Sequence, residues 1–268
     1  MDIQRFFDDQ LNSWDDARNR FHALSEVLTK QIQVASETIS VQYNPARAVS
    51  SLAKLDTKTL AQRPCFLCHD NRPRQQHEIL VLSRYHLLVN PFPIFSPHFT
   101  IASTTHQLQS LSLATVLDML SLASQFPHHV VFFNGAKAGA SAPDHLHLQM
   151  ISASSLTNPV GIRSSLRKNT TLQSSDAESL ADEILATIGS FHLNAGLFNL
   201  LVLNDGSRWT ADIYRRKTHR PTQYFDQSFM ISPGAIDMAG TVIASRLEDY
   251  EKASPALLSD VFAQVADD

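Results

Sequence analysis

Hydrophobic residues recur along the chain with two different periods, and each period predicts a different kind of element. Between Phe7 and Leu28 apolar residues return every three or four positions, which predicts one long amphipathic helix. Over Thr38 to Tyr43 they alternate with polar residues, which predicts a strand. The next predicted elements are a hairpin, a strand, a helix and a buried strand, at 78–83 with 85–90, 98–103, 113–120 and 129–134. Together these segments predict a mostly antiparallel α+β layer.

The second part of the chain loosely echoes this succession. A stretch at 153–175 is rich in Ser, Thr and Asn, has little periodicity and is predicted to be a linker. Beyond it we predict a helix, a hairpin, a strand and a final helix, at 176–188, 197–203 with 209–215, 238–245 and from Ser254-Pro255 onward. The predicted organisation is an N-terminal helix, a candidate catalytic half, a linker and a C-terminal α+β half packed on the first, with bounds 1–37, 38–152, 153–175 and 176–268.

Composition narrows the class of protein. The 268 residues are 43% hydrophobic and 18% charged, which is typical of a globular protein with a sizeable core. A formal net charge of −4 argues against general nucleic-acid binding. No signal peptide and no apolar run of membrane-spanning length are visible, so we expect a cytoplasmic protein without a membrane partner. The only cysteines, Cys65 and Cys68, argue against a disulfide framework and could bind a metal as a reduced pair.

The candidate chemistry is concentrated between Phe133 and Gln149. Small residues from Asn134 to Pro143 predict a loop in which backbone N–H groups can converge on an anion. From His145 onward polar and apolar residues alternate, which places His145, His147 and Gln149 on one face of a predicted strand. The alternative is an ordinary Gly/Ala loop followed by an edge strand that carries two histidines. We favour chemistry, because a solvated strand face has no need of two imidazoles and an amide beside an anion-binding loop.

These residues resemble the transferase branch of the histidine triad (HIT-like) superfamily. The run from Gly135 to Gln149 resembles the loop and His-x-His-x-Gln signature of galactose-1-phosphate uridylyltransferases and dinucleoside tetraphosphate phosphorylases. Cys65-Phe-Leu-Cys68 and Tyr43-Asn44-Pro45 resemble segments of the uridylyltransferases, and the segments 232–240 and 248–251 resemble GDP-L-galactose (GDP-hexose) phosphorylases. The resemblance implies a HIT-like antiparallel sheet with flanking helices, and it leaves open whether the second half is a degenerate HIT-like repeat.

The resemblance also implies roles for the two residues of the signature that would do the chemistry. His147 would be the nucleophile, since a neutral imidazole, with a usual pKa of about 6.5, can attack phosphorus and form a nucleotidyl-histidine. Gln149 stands where hydrolytic members carry a third His. An amide can donate a hydrogen bond to a phosphoryl oxygen but cannot relay protons, so the resemblance implies transfer rather than hydrolysis.

Further residues are candidates for binding phosphates or the nucleoside. Charge on the phosphorus would be stabilised by the loop residues Gly135, Lys137, Gly139 and Ser141. Asn90 would hold the ribose, with an Asn that ends a strand as the alternative. Three cationic side chains could reach phosphates or the acceptor, although each could equally be a solvated surface residue: Arg47, Lys54 and Arg72.

A zinc site is implied by the same resemblance. Cys65 and Cys68 with His145, and with His106 as the favoured second histidine, would make a four-ligand site of structural type. His69, His86 and His98 remain rivals for that place. The alternative is a pair of reduced thiols without a metal.

The predicted function is that of a nucleotidyltransferase or phosphorylase that cleaves a nucleoside diphosphate sugar, GDP-hexose being favoured, with inorganic phosphate. A dinucleoside polyphosphate phosphorylase and a hexose-1-phosphate uridylyltransferase are the enzyme alternatives. A non-catalytic, zinc-stabilised nucleotide-binding protein is the alternative of another class. Relatives often form homodimers, but no pattern in this chain demands one.

Overall fold

The computed structural model describes residues 2–47 and 63–268 of the chain. The helices in this part are α1 (Ile3–Ser13), α2 (Asp15–His22), α3 (Leu113–Gln125), α4 (Ala177–Ala195), α5 (Thr222–Phe225), α6 (Ala235–Met238), α7 (Leu247–Lys252) and α8 (Pro255–Val265). The strands are β1 (Leu28–Val34), β2 (Glu37–Tyr43), β3 (Glu78–Val81), β4 (Tyr85–Val89), β5 (His98–Ser103), β6 (His129–Asn134), β7 (His147–Ser152), β8 (Asn169–Ser174), β9 (Phe198–Asn204), β10 (Trp209–Arg215) and β11 (Thr241–Ala244).

Eight strands form one sheet in the order β3-β4-β5-β7-β6-β9-β10-β8. Each neighbouring pair in this sheet is antiparallel. Helices α3 and α4 pack on one face, over a core that contains Val131, Phe133 and Leu200. The predicted α+β class, with an antiparallel sheet flanked by helices, is confirmed.

The sheet consists of two β-α-β-β units joined at its centre. In the first unit β5, α3, β6 and β7 follow one another, and β7 lies between β5 and β6. In the second unit β8, α4, β9 and β10 follow one another, and β10 lies between β8 and β9. Because β6 pairs with β9, the units meet about an approximate two-fold axis. The second half is therefore a repeat of the first at the level of strand order.

The register shows why the second unit is degenerate. Gln149 pairs with Thr100 in the first unit, and Asp212 pairs with Thr171 in the second. Asp212 thus takes the place of Gln149, and Thr210 takes the place of His147. The Asp212 carboxylate accepts hydrogen bonds from the Gly161 backbone N–H at 2.9 Å and from the Thr171 hydroxyl at 2.6 Å. The loop before β8 therefore lies against the position in the second unit that corresponds to Gln149.

A second, three-stranded sheet covers the opposite face of the large sheet. Its order is β1-β2-β11, with β1 antiparallel and β11 parallel to β2. A second core forms between the two sheets and the C-terminal helix α8, and it contains Phe132, Leu201 and Tyr214 from the large sheet. The candidate chemistry lies on this face of the large sheet.

Several sequence-based predictions differ from the structure in their bounds, among them the strand predicted at 238–245, which is the end of α6 followed by β11. The N-terminal helix is broken at Trp14, where the backbone is extended, and it ends before β1, because the alternating residues after Leu28 pair with β2. The predicted linker contains β8, an edge strand that only its pairing with β10 reveals. The predicted strand at His145 begins two residues later, at His147, because the preceding residues form a turn. No helix within residues 2–47 and 63–268 is long and apolar enough to cross a membrane.

Candidate active site

A cavity of about 380 Å³ opens at the start of β7, on the same face of the large sheet as the second core. Both halves of the chain line it. The first half contributes residues that include Arg47, Asn90, Thr100, Asn134, Gly139, Ser141, His147 and Gln149. The second half contributes residues that include His219, Arg220, Ser232, Gly234, Ala235 and Asp237.

His147 is the first residue of β7, and its imidazole is buried in the wall of the cavity. Nδ1 lies 2.8 Å from the backbone carbonyl oxygen of His145, so this nitrogen carries the hydrogen and donates it. Nε2 then keeps its lone pair, and it has no hydrogen-bond partner among the residues that the structure describes. Burial lowers the pKa of His147 to about 4, despite the opposing effect of this hydrogen bond. The arrangement provides a neutral imidazole with one unused nitrogen.

Gln109 holds the backbone of His147 from both sides. Its Oε1 accepts a hydrogen bond from the His147 N–H at 2.8 Å, and its Nε2 donates to the His147 carbonyl at 3.0 Å. Nε2 also donates to the carbonyl of Asn134 at 2.9 Å. Gln109 lies in an irregular segment before α3, where no local pattern in the sequence marks it. It fixes where β7 begins relative to β6.

His98 sets the orientation of the Gln149 amide. The Ile94 N–H donates to His98 Nδ1 at 3.2 Å, so Nε2 carries the hydrogen and donates to Gln149 Oε1 at 2.9 Å. Burial is the main reason that the pKa of His98 falls to about 3, which keeps this imidazole neutral. With Oε1 held by His98, the Gln149 amide nitrogen is left to serve the cavity as a donor. In the structure His98 therefore contacts Gln149 rather than the two cysteines.

Only part of the loop from Asn134 to Pro143, here called the glycine loop, lines the cavity. Gly139 and Ser141 line the cavity, whereas the Gly135 and Lys137 N–H groups donate to the carbonyls of Phe198 and Gly196 at 3.0 and 2.9 Å. The Lys137 side chain is exposed. Gly135 and Lys137 hold the loop on the segment 196–198, and neither lines the cavity, although both were predicted to stabilise charge on the phosphorus.

Of the remaining candidate binding residues, some line the cavity and others do not. Arg47 lines the cavity and donates to the Phe92 carbonyl at 2.7 Å, and burial lowers its pKa to about 10. Asn90 also lines it, with Oδ1 accepting from the Phe92 N–H at 2.8 Å. Arg72 is absent from the lining, because its buried guanidinium forms an ion pair with Glu78. Lys54 lies outside the described residues.

Cys65, Cys68, His106 and His145 converge beside the cavity, with one ligand atom of each within 4.8 Å of the others. Cys65 Sγ lies 3.3 Å from His145 Nδ1, and Cys68 Sγ lies 3.3 Å from His106 Nδ1 and 3.6 Å from His145 Nδ1. A tetrahedral ion bound at about 2.3 Å to sulfur and about 2.0 Å to nitrogen holds such atoms about 3.5 Å apart. The four residues therefore fit a zinc ion.

The surroundings of this cluster also suit a metal. His145 Nε2 donates to the Ser103 carbonyl at 2.9 Å, which leaves Nδ1 as a ligand atom. Burial would raise the pKa of the Cys65 thiol, but the adjacent His145 ring and the backbone N–H groups of Leu67 and Cys68 outweigh it and lower the pKa to about 6. Arg63 forms an ion pair with Asp144 at 2.7 Å. This ion pair joins the segment before the cysteine turn, residues 65–68, to the residue before His145.

The chain matches the model of one protein family, described as a domain of unknown function (DUF4922), over residues 6–152. The protein belongs to this family. No curated protein matches it.

Solved structures show the fold of this DUF4922 protein. Yeast Ap4A phosphorylase Apa2 in complex with AMP is similar over 96% of each chain, with 14% sequence identity and a TM-score of 0.60. The same enzyme in complex with Ap4A is similar over 95% of this chain and 97% of that one, with 14% identity and a TM-score of 0.59. The fold expected from the sequence resemblance is confirmed, because the chain shares the fold of this phosphorylase over nearly its whole length.

The cavity residues of the second half of this DUF4922 protein had no individual signal in the sequence. Only the segment 232–240 stood out, through its resemblance to the GDP-hexose phosphorylases. In the structure Gly234 lies so close to the glycine loop that a Cβ on Gly139 would come within 2.6 Å of Gly234 Cα. This close approach brings the second half to the cavity.

The contact between the two glycines yields a stability prediction. Gly139 has a φ of +101°, and a side chain there would also collide with the Gly234 backbone. We expect Gly139→Ala to lower the free energy of unfolding by about 3 kcal/mol, measured by urea denaturation. Gly206→Ala is the matched control, with a φ of +96° and open space around the new Cβ. It should cost about 1 kcal/mol, and equal losses in the two variants would contradict the packing argument.

The metal cluster yields a second prediction. Protein purified under reducing conditions should contain about one zinc ion per chain, measured by elemental mass spectrometry. Cys65→Ser should lose the metal and lower the melting temperature. His69→Ala should keep it, because His69 lies next to the cysteine turn but outside the cluster. A wild-type protein without stoichiometric metal would overturn the assignment.

Proposed function

We propose that the protein is a phosphorylase that transfers a nucleotidyl group to inorganic phosphate through a covalent intermediate on His147. The observation that carries this proposal is the state of His147 Nε2. It belongs to a neutral, oriented imidazole, it has no hydrogen-bond partner among the described residues, and its side chain lines a cavity. A cavity of about 380 Å³ is large enough for a small ligand.

The chemistry consists of two displacements at one phosphorus atom. In the first step the Nε2 lone pair forms a bond to the α-phosphorus, and the bond from that phosphorus to the bridging oxygen breaks. The bridging oxygen leaves with the β-phosphate, as hexose 1-phosphate in the case of a nucleoside diphosphate sugar. A phosphate monoester is already a good leaving group, so it needs little protonation. In the second step an oxygen of inorganic phosphate attacks the same phosphorus and the P–N bond breaks. The products are a nucleoside diphosphate and free His147.

The surrounding residues support these steps. The His145 carbonyl accepts the Nδ1 hydrogen and so favours the positive charge that the imidazole gains in the intermediate. The Gln149 amide nitrogen, oriented by His98, can donate to a non-bridging oxygen. Zinc on Cys65, Cys68, His106 and His145 would supply rigidity to the turn before β7, because four protein ligands leave no position for substrate.

The favoured substrate class is a nucleoside diphosphate sugar, with GDP-hexose as the first candidate. The sequence resemblance to GDP-hexose phosphorylases includes Ser232, Gly234 and Asp237, and these residues line the cavity. A dinucleoside polyphosphate is the second candidate, because the fold is similar to that of Apa2, which has been solved with AMP and with Ap4A. Incubation with GDP-, ADP- and UDP-hexoses and Ap4A, each with and without phosphate, would separate the two. Turnover only with added hexose 1-phosphate would instead indicate a uridylyltransferase.

Replacement of the nucleophile tests the reaction itself. His147→Asn should abolish both turnover and the nucleotidyl adduct seen by intact-protein mass spectrometry, with a loss of about 10³-fold or more in kcat. His128→Asn is the control, because His128 is an exposed residue with a positive φ that Asn tolerates. Nucleotide binding without any adduct in the wild type would favour the non-catalytic alternative.

Replacement of His98 tests the orientation of Gln149. His98→Phe removes the donor to Gln149 Oε1 while filling the same space, so the amide can rotate. We expect kcat to fall by about 10²-fold with a small change in the KM of the nucleotide substrate. Gln149→Ala should lower kcat by a similar factor, and the double variant should be no worse than either single one. Additive losses would show that the two residues act separately.

A further inference from the structure

The second half supplies an arginine to the cavity that has no part in the steps above. Arg220 follows β10 and lines the cavity that also contains His147 and Gln149. Its Nε donates to the Ser232 hydroxyl at 3.0 Å, and its guanidinium lies 4.0 Å from the centre of the Tyr224 ring. Burial lowers the pKa of Arg220, but a guanidinium remains protonated at neutral pH. The cavity therefore has a fixed cation on a wall built by the second half.

A buried neighbour holds the backbone of this wall. Arg216 is fully buried, and its Nη2 donates to the carbonyls of Thr218 and His219 at 3.3 and 3.0 Å. Its Nη1 donates to the Pro233 carbonyl at 3.1 Å. One guanidinium thus fastens the segments before Arg220 and after Ser232. Because both segments are fixed, Arg220 and Ser232 are positioned in advance of any ligand.

Ser232 is oriented as well as positioned. Its hydroxyl accepts from Arg220 Nε and lies 3.0 Å from His219 Nε2. Burial lowers the pKa of His219 to about 3, so its ring is neutral and can accept the Ser232 hydrogen. Arg220, Ser232 and His219 form a connected polar group on the cavity wall.

The charge of the lining suits an anion. Among the residues that the structure describes, the charged side chains of the lining are two arginines, Arg47 and Arg220, and one carboxylate, Asp237. That carboxylate accepts backbone hydrogen bonds from Gly234 and Ile243 at 2.9 Å each. It is therefore engaged with the backbone, whereas both guanidinium groups stay protonated at neutral pH. A group with several negative oxygens is the ligand that such a wall attracts.

We propose that Arg220, supported by Ser232, forms the subsite for the phosphate group that leaves in the first step and for the inorganic phosphate that enters in the second. The proposal rests on the proposed function, because it assigns a place to the second reactant of that reaction. Departure and attack both occur in line with the P–N bond, so the leaving phosphate and the entering phosphate use the same side of the α-phosphorus. One cationic subsite then serves both steps. The second half thereby supplies the residue that recognises the acceptor.

The test uses the full chain and inorganic phosphate as the probe. Phosphate binding is measured by calorimetry on the protein without nucleotide, and the phosphate dependence of adduct breakdown is measured on isolated nucleotidyl protein. Arg220→Gln should weaken both by about 10- to 100-fold. Arg220→Lys should weaken phosphate binding and adduct breakdown less than Arg220→Gln, because lysine keeps the positive charge. Some loss should remain, because lysine cannot donate two parallel hydrogen bonds to phosphate. Arg208→Gln, an arginine in the exposed turn after β9, should change neither.

The outcomes separate this proposal from the proposed function. If the wild type forms no adduct but binds phosphate, and Arg220→Gln weakens that binding as predicted, the proposed reaction is wrong and Arg220 still forms a phosphate-binding site. If the adduct forms and Arg220→Gln leaves phosphate binding and adduct breakdown unchanged, the subsite is overturned and the reaction stands. Arg220→Lys provides the same comparison if the Gln variant does not fold.

Discussion

The cavity depends on a hydrogen-bonded pair of asparagines at the centre of the large sheet. Asn134 on β6 and Asn199 on β9 are paired residues, and Asn199 Nδ2 donates to Asn134 Oδ1 at 2.8 Å. The same Oδ1 accepts the Ala235 N–H at 2.7 Å, and Asn199 Nδ2 also donates to the Ala138 carbonyl at 2.6 Å. Arg216 donates to Asn199 Oδ1 at 2.7 Å. Two buried amides therefore connect the sheet, the glycine loop and the wall from the second half.

The contact between Asn134 and Asn199 explains how two similar units form a single candidate active site. Both units have the same strand order, and both place polar residues on the same face of the sheet. In the first unit those residues are His147 and Gln149, and they face a cavity. In the second unit Asp212 is closed in by hydrogen bonds to Gly161 and Thr171. The second unit has thereby become a support, and its C-terminal segment contributes Arg220 and Ser232 to the site of the first.

Orientation of neutral groups, rather than ionisation, prepares this site. His147 and His98 are both buried, and burial disfavours their charged forms. Each ring is then fixed by one hydrogen bond that decides which nitrogen carries the hydrogen. His147 gives its hydrogen to a backbone carbonyl, and His98 gives its hydrogen to Gln149. As a result a lone pair and an amide donor are available in the cavity without any proton transfer.

The sequence by itself determined most of the local elements and singled out the candidate reacting side chains. Apolar runs and the turns between them predicted β5, β6, β9 and β10, alternation predicted β2, and the His-x-His-x-Gln run singled out His147 and Gln149. Only the tertiary structure decided which polar groups meet. In the tertiary structure Arg72 pairs with Glu78, and His98 donates to Gln149. Lys137 lies at the surface, whereas Arg220 lines the cavity. The physical reason is that periodicity along a chain fixes the face of an element, whereas hydrogen-bond partners are set by pairing between strands far apart in sequence.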